Sequence, residues 1–159
     1  MNAVSSDMAG PRALHLVCFV ALAWLPGVVG AQFGPDAWYA ALHKPLITPS
    51  NAVFAIIWPV LYTLSGIAAW LAWDSGRRLH AAHALWVALL ALTALWPWLF
   101  FGLHRMDVAL AAIVLLLPIM SVLLVAFWRI RPLALLPLLP YFAWLLFAAL
   151  LNIAFVGLN

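Results

Sequence analysis

Few residues in this chain are able to do chemistry. It carries 5 histidines, 1 cysteine and 4 acids, and the acids are all aspartates: Asp7, Asp36, Asp74 and Asp107. Only His80 and His83 are spaced, at i and i+3, to share a metal or a haem iron from one helix face. Such a centre needs more ligands, and the sole nearby candidate, Asp74, stands with Arg77 and Arg78 ahead of a helix start. Interfacial polar residues are therefore the better reading of this pair. No serine, histidine and aspartate fall in an order suited to a nucleophile and its base, and no two carboxylates can face one cleft. No glycine-rich loop is present to cradle a phosphate. Cys18 is alone in apolar sequence and closes no intrachain disulfide. This inventory points to binding rather than catalysis, so no catalytic residue, metal ligand or obligatory cofactor is assigned.

The aromatic residues offer more, with 10 Trp, 9 Phe and 3 Tyr. Trp58, Tyr62, Ser65 and Ala69 recur at i, i+4, i+7 and i+11 and share one helix face. Trp86, Thr93, Pro97 and Phe100 do the same in another run, and Tyr141, Trp144, Ala148 and Asn152 in a third. Each stripe joins large rings to a small residue and a polar group, the make-up of an apolar pocket with a few orienting donors. Trp24, Trp38, Trp70, Trp73, Trp98 and Trp128 lie mostly near run ends and read as interfacial anchors. Trp58 and Trp144 stand apart, since each is close to a helix-bending proline and shares its face with a hydroxyl or amide. Asn152 is the one amide deep in an apolar run and needs a buried partner. An interhelical hydrogen bond and a ligand contact would satisfy it equally.

The elements that must position these residues follow from composition. The chain of 159 residues is 69% hydrophobic and 7% charged, far from the usage of water-soluble domains. The solvent for most of its surface is lipid. Apolar runs cover about 14–33, 52–73, 80–103, 108–128 and 133–156, each long enough to cross roughly 30 Å of hydrocarbon as a helix. None alternates with the period of a barrel strand. The expected fold is an all-α integral membrane protein, a bundle of five transmembrane helices spanning 14–159 after a flexible tail, 1–13. Arg12 and the Val29-Gly30-Ala31 stretch imitate a signal peptide, but the first run is long enough to span. Proline falls within every run (Pro26, Pro59, Pro97, Pro118 and Pro140), which suggests a bundle that bulges around an internal space. No run carries an acid or base at mid-membrane, as ion-coupled transport would require.

Arg12, Arg77, Arg78, Arg129 and Arg131 collect on one side, and only Lys44 and Arg105 on the other. The positive-inside rule places the N-terminus in the cytoplasm of an inner membrane. No basic patch with polar surroundings indicates nucleic acid. The long connection 34–51 then lies on the opposite side. It holds the only lysine, Lys44, with Trp38, His43, Pro45 and Pro49, and reads as a rigid lid.

Three ordered motifs carry a resemblance. Trp38-Tyr39-x-x-Leu42-x-Lys44-Pro45 with Trp58-x-x-x-Tyr62, then Trp96-Pro97-x-x-Phe100-Phe101-Gly102, then Pro140-Tyr141-x-x-Trp144-x-x-Phe147-Ala148-x-x-Leu151-Asn152 resemble the TspO/MBR family (tryptophan-rich sensory protein, translocator protein, peripheral benzodiazepine receptor). The likeness covers nearly the whole chain after residue 14. It implies a homodimeric membrane receptor or carrier that binds tetrapyrroles such as protoporphyrin IX and haem, or similar flat hydrophobic molecules, beneath the first loop. Light-dependent oxidative breakdown of porphyrin is the most enzymatic activity it implies. By position, the ligand would meet Trp58, Tyr62, Thr93, Trp96, Tyr141, Trp144, Ala148 and Asn152, with Trp38, His43, Lys44, Pro45 and Arg105 at the lid and rim. Some bacterial relatives occupy the outer membrane instead of the inner one.

The chain departs from the family pattern at Thr93, where Asn is frequent, at Ile47 and Pro49-Ser50 in the loop, and at Val108. Beyond Asn152 it lacks the Tyr and Arg of the proposed cholesterol motif, itself a weak pattern. These departures leave an alternative: a structural accessory subunit packed against another membrane complex or its pigments.

Overall fold

The computed structural model describes residues 9–159. The expected tail lies partly outside the described residues, and helix α1 (Ala9–Gly30) begins ahead of Leu14. A short α2 (Ala37–Ala41) follows in the first loop, then α3 (Asn51–Asp74), α4 (Ala81–Pro97), α5 (Met106–Ile130) and α6 (Leu139–Leu158). Five helical stretches are long and apolar enough to cross a membrane, and no strand occurs among the described residues. The fold is an all-α bundle of five spanning segments with the first loop at one end.

Two prolines act differently from the expectation of five kinked helix interiors. The chain from Pro132 to Leu138 makes two 3-10 turns, so α6 starts at Leu139 and Pro140 falls in its first turn. There a missing N–H has no intrahelical partner to lose. Pro97 closes α4, and the chain widens into a π-helical turn, Trp98–Gly102, with Leu103 N–H bonded to the Trp98 carbonyl at 2.8 Å. Pro26, Pro59 and Pro118 do lie inside their helices.

The most extensive helix contact joins α1 to α3, and Gly66 is its pivot. A Cβ at Gly66 would lie 2.6 Å from Val20 Cα, so the two backbones touch where only a hydrogen fits. Small residues permit this approach, the usual basis of helix association in lipid. Trp24 lies past the middle of α1, not at an interface, and its Nε1–H donates to Thr63 Oγ1 at 3.1 Å. Ala68, Ala69 and Ala72 of α3 are fully buried in the bundle. The outer faces carry exposed Leu, Val and Ile along their length, as lipid contact requires.

Polar groups inside the bundle find each other. Trp86 donates to Ser65 Oγ at 2.8 Å in a buried pair. His83, in the first turn of α4, is buried, and both ring nitrogens are engaged: Nδ1 accepts from the His80 N–H at 3.0 Å, and Nε2 lies 3.1 Å from the Ala69 carbonyl. That arrangement fixes a neutral ring with the proton on Nε2 and leaves His83 no lone pair for a metal.

Candidate functional site

The stripes read from helical spacing converge in part. On α3, Trp58 stacks on Tyr62 with ring centroids 5.5 Å apart. On α6, Tyr141 and Trp144 meet Trp58 edge-on at 6.1 and 6.4 Å, and Tyr62 meets Tyr141 at 6.5 Å. Edge-to-face contact is the arrangement that ring quadrupoles favour. Tyr62 is held from behind by α1, where a Cβ at Gly27 would approach its ring to 2.9 Å. Thr93 of α4 joins the cluster through its hydroxyl, 3.1 Å from Tyr141 Oη, while also donating to the Leu89 carbonyl at 2.9 Å. With that proton committed, Tyr141 is the donor between the two hydroxyls. Phe54 and Phe147, neither assigned to the site from sequence, flank Trp144 at 5.7 and 5.1 Å; their spacing from Trp58 and Trp144 (i−4 and i+3) was the available signal.

One donor in this cluster is unsatisfied. Trp144 Nε1 is buried and has no hydrogen-bond partner among the described residues. A buried N–H without an acceptor costs about 1–3 kcal/mol, so the position favours any occupant that brings one.

Trp96 and Asn152 belong to a second, adjacent cluster. Trp96 Nε1–H donates to Asn152 Oδ1 at 3.1 Å, and Asn152 Nδ2 donates to the Met106 carbonyl at 3.1 Å. The amide thus ties α4, α5 and α6 together. Trp96 also stacks on Phe100 at 4.9 Å. Ala148 is half-buried on α6, one turn from Trp144 and one from Asn152.

The first loop closes over this second cluster. Trp38 and Tyr39, both on α2, pack on Phe100, and Tyr39 also reaches Phe101 and Phe155. Asp36 caps α2 by accepting from Tyr39 N–H at 2.9 Å, and its other oxygen accepts from His104 Nε2 at 3.0 Å. The Tyr39 N–H chiefly, and His104 to a lesser degree, hold the Asp36 carboxyl below its ordinary pKa. Partial burial raises that of the Tyr39 hydroxyl. Trp38 stacks on the His104 ring at 4.3 Å. His104 takes a left-handed backbone (φ 54°) to reach this position.

His43 is fixed through its backbone, with its N–H bonded to Asn159 Oδ1 at 2.9 Å and its carbonyl to Asn159 Nδ2 at 3.1 Å. Lys44 Nζ sits 4.8 Å from the Tyr39 ring centroid, a cation–π contact at the rim. Pro45 is buried, whereas Leu46 and Ile47 are exposed. Arg105 lies at the same end, where the Asp107 carboxylate 2.7 Å away raises its pKa.

The TspO/MBR family model matches residues 15–157. Protein CrtK of Rhodobacter capsulatus is 37% identical over 151 residues, covering 92% of each chain. The tryptophan-rich protein TspO of Archaeoglobus fulgidus is 36% identical over 92% of this chain and 97% of its own. The translocator protein of Sus scrofa is 38% identical over 119 residues, 72% of this chain and 70% of its own. With its five apolar spans, three motif-bearing helices and lidded first loop, this multi-pass integral membrane protein belongs to the TspO/MBR family.

Proposed function

We propose that the chain is a membrane receptor or carrier for flat, mostly apolar ligands of the tetrapyrrole class, protoporphyrin IX and haem among them. The observation that carries this reading is the four-ring cluster of Trp58, Tyr62, Tyr141 and Trp144, with its buried, acceptor-less indole N–H. A macrocycle suits such walls because its flat apolar faces stack on indoles, and its only peripheral acceptors are its two propionate carboxylates. Trp58 and Trp144 already touch, so the ligand enters by parting them. Lys44, exposed beside the lid, and Arg105 would meet its carboxylates at the rim. The receptor works as a homodimer, with its N-terminus cytoplasmic and the lid on the opposite side of an inner membrane.

The test is a titration of the purified chain with protoporphyrin IX, followed by tryptophan fluorescence. Wild type is expected to show saturable quenching. The Trp58→Phe plus Trp144→Phe variant should weaken the apparent affinity on the order of tenfold, from two lost indole contacts of about 0.5–1.5 kcal/mol each. Quenching that never saturates and ignores both substitutions would mean partition into detergent. The accessory-subunit reading would then lead, and a stoichiometric protein partner in mild detergent would support it.

A further inference from the structure

The two ends of the bundle differ in charge. At the end away from the lid, Arg12, Arg77, Arg78, Arg129 and Arg131 face a single described acid, Asp74. At the lid end, Lys44 and Arg105 are balanced by Asp36 and Asp107. The excess is therefore confined to one membrane surface.

A groove opens between two of the helices that end at that surface. Between α1 and α3, on the outer face of the bundle, a cleft of about 620 Å³ is walled by Leu16, Val20 and Trp24 on one side and Thr63 and Ile67 on the other. Arg12 lies one helical turn before Leu16, the first of the α1 residues that line the cleft. Asp74 follows Ile67 and Thr63 by seven and eleven, again on one face. Arg12 and Asp74 are paired at 2.6 Å, so an ion pair joins α1 to α3 beyond the lining residues, at the end of the two helices away from the lid.

The pair leaves donors of Arg12 without a partner among the described residues. Arg12 commits Nε and Nη2 to Asp74, while a guanidinium carries five N–H groups in all. Arg77 acts on Asp74 electrostatically from the turn after α3, where it takes a left-handed backbone (φ 52°). Arg78 folds back over Gly76, its Cγ within 3.8 Å of where a Cβ there would lie. Neither Arg77 nor Arg78 makes a side-chain hydrogen bond or close ion pair among the described residues.

We propose that this corner binds one anionic membrane phospholipid, with its phosphate at Arg77, Arg78 and the open edge of Arg12, and one acyl chain lying in the α1–α3 groove down to Trp24. Charge decides the occupant: a zwitterionic headgroup gains little from uncompensated guanidinium groups, and a second copy of this chain would bring the same positive charge to the same height. Lipid tails are as apolar as the groove, so the groove orients the chain and the arginines supply the preference. This site is independent of the aromatic cluster.

The test reconstitutes the full chain in phosphatidylcholine bilayers holding a small fraction of either phosphatidylglycerol or phosphatidylcholine brominated in the distal half of its chains. The emission that disappears in Trp24→Phe reports the groove. Brominated phosphatidylglycerol should quench that component on the order of tenfold more effectively than brominated phosphatidylcholine, as expected for two or more arginines near the surface. Arg77→Gln plus Arg78→Gln, both exposed and away from the core, should bring the ratio close to unity, as should about 1 M salt. Ala21→Phe, which fills the groove from an exposed position, should remove the preference while the arginines remain. Native mass spectrometry of wild type released from the same bilayers should retain one phosphatidylglycerol, lost in the double arginine variant. Equal quenching by the two lipids, a preference untouched by the arginine substitutions, or one that survives Ala21→Phe would each overturn the proposal.

Discussion

Replacing Gly66 by alanine sets two effects of opposite sign against each other. Within a helix, alanine is favoured over glycine by about 1 kcal/mol, so propensity alone predicts a more stable protein. The α1 contact predicts the reverse. The new Cβ would stand 2.6 Å from Val20 Cα and 2.9 Å from both Phe19 O and Val20 N, where ordinary contact begins at 3.4 Å. These are backbone atoms, so no rotamer change relieves them, and α1 must retreat by about 1 Å. Overpacking of this kind costs about 1–3 kcal/mol.

That retreat would also stretch the Trp24–Thr63 hydrogen bond. The expected net result for Gly66→Ala is a loss of about 1–2 kcal/mol, and a larger one for Gly66→Val. Gly157→Ala is the control, since nothing lies within 4 Å of a Cβ there. Reversible unfolding in one mild detergent, followed by near-ultraviolet circular dichroism, measures all three. If Gly66→Ala is stabilised as much as Gly157→Ala, the close helix contact is refuted.

Two further outcomes follow from the polar groups. Asn152→Leu removes the acceptor of Trp96 Nε1 and should cost about 1–3 kcal/mol. Adding Trp96→Phe should recover part of that loss in a double-mutant cycle on unfolding free energies. The depressed Asp36 carboxyl makes the lid anchor pH-dependent: its contribution is fully present above the ordinary aspartate value of about 4 and is lost as pH falls through the lower folded value. Amide exchange of residues 37–42 should therefore accelerate in that acidic window, and Asp36→Asn should flatten the dependence.

Helical spacing was enough to place Trp58 with Tyr62 and Tyr141 with Trp144, because a 3.6-residue period fixes which side chains share a face. It could not say which faces meet. Trp96 and Asn152, assigned with the others to one pocket, form a neighbouring cluster because the rotation of α4 relative to α6 depends on tertiary packing. The run ends were also hard to read. Pro97 and Pro140 look like interior kinks in a hydropathy pattern that is indifferent to local winding, yet one introduces a π turn and the other opens a helix. The burial of His83 was illegible for a similar reason, since it depends on Ala69 offering a carbonyl from another helix. The lid's short helix was hidden too, although Asp36 three residues before Tyr39 is the capping pattern that makes it.

The Arg12–Asp74 pair joins residues 62 positions apart, which has a consequence for biosynthesis. When α1 first enters the bilayer, α3 has not yet been made, and Arg12 is an unaccompanied cation. It is neutralised only after the whole of the following span has left the ribosome. One arginine thus serves twice in succession, first as a marker that holds its end of the nascent helix on one side, later as a latch that closes the finished hairpin.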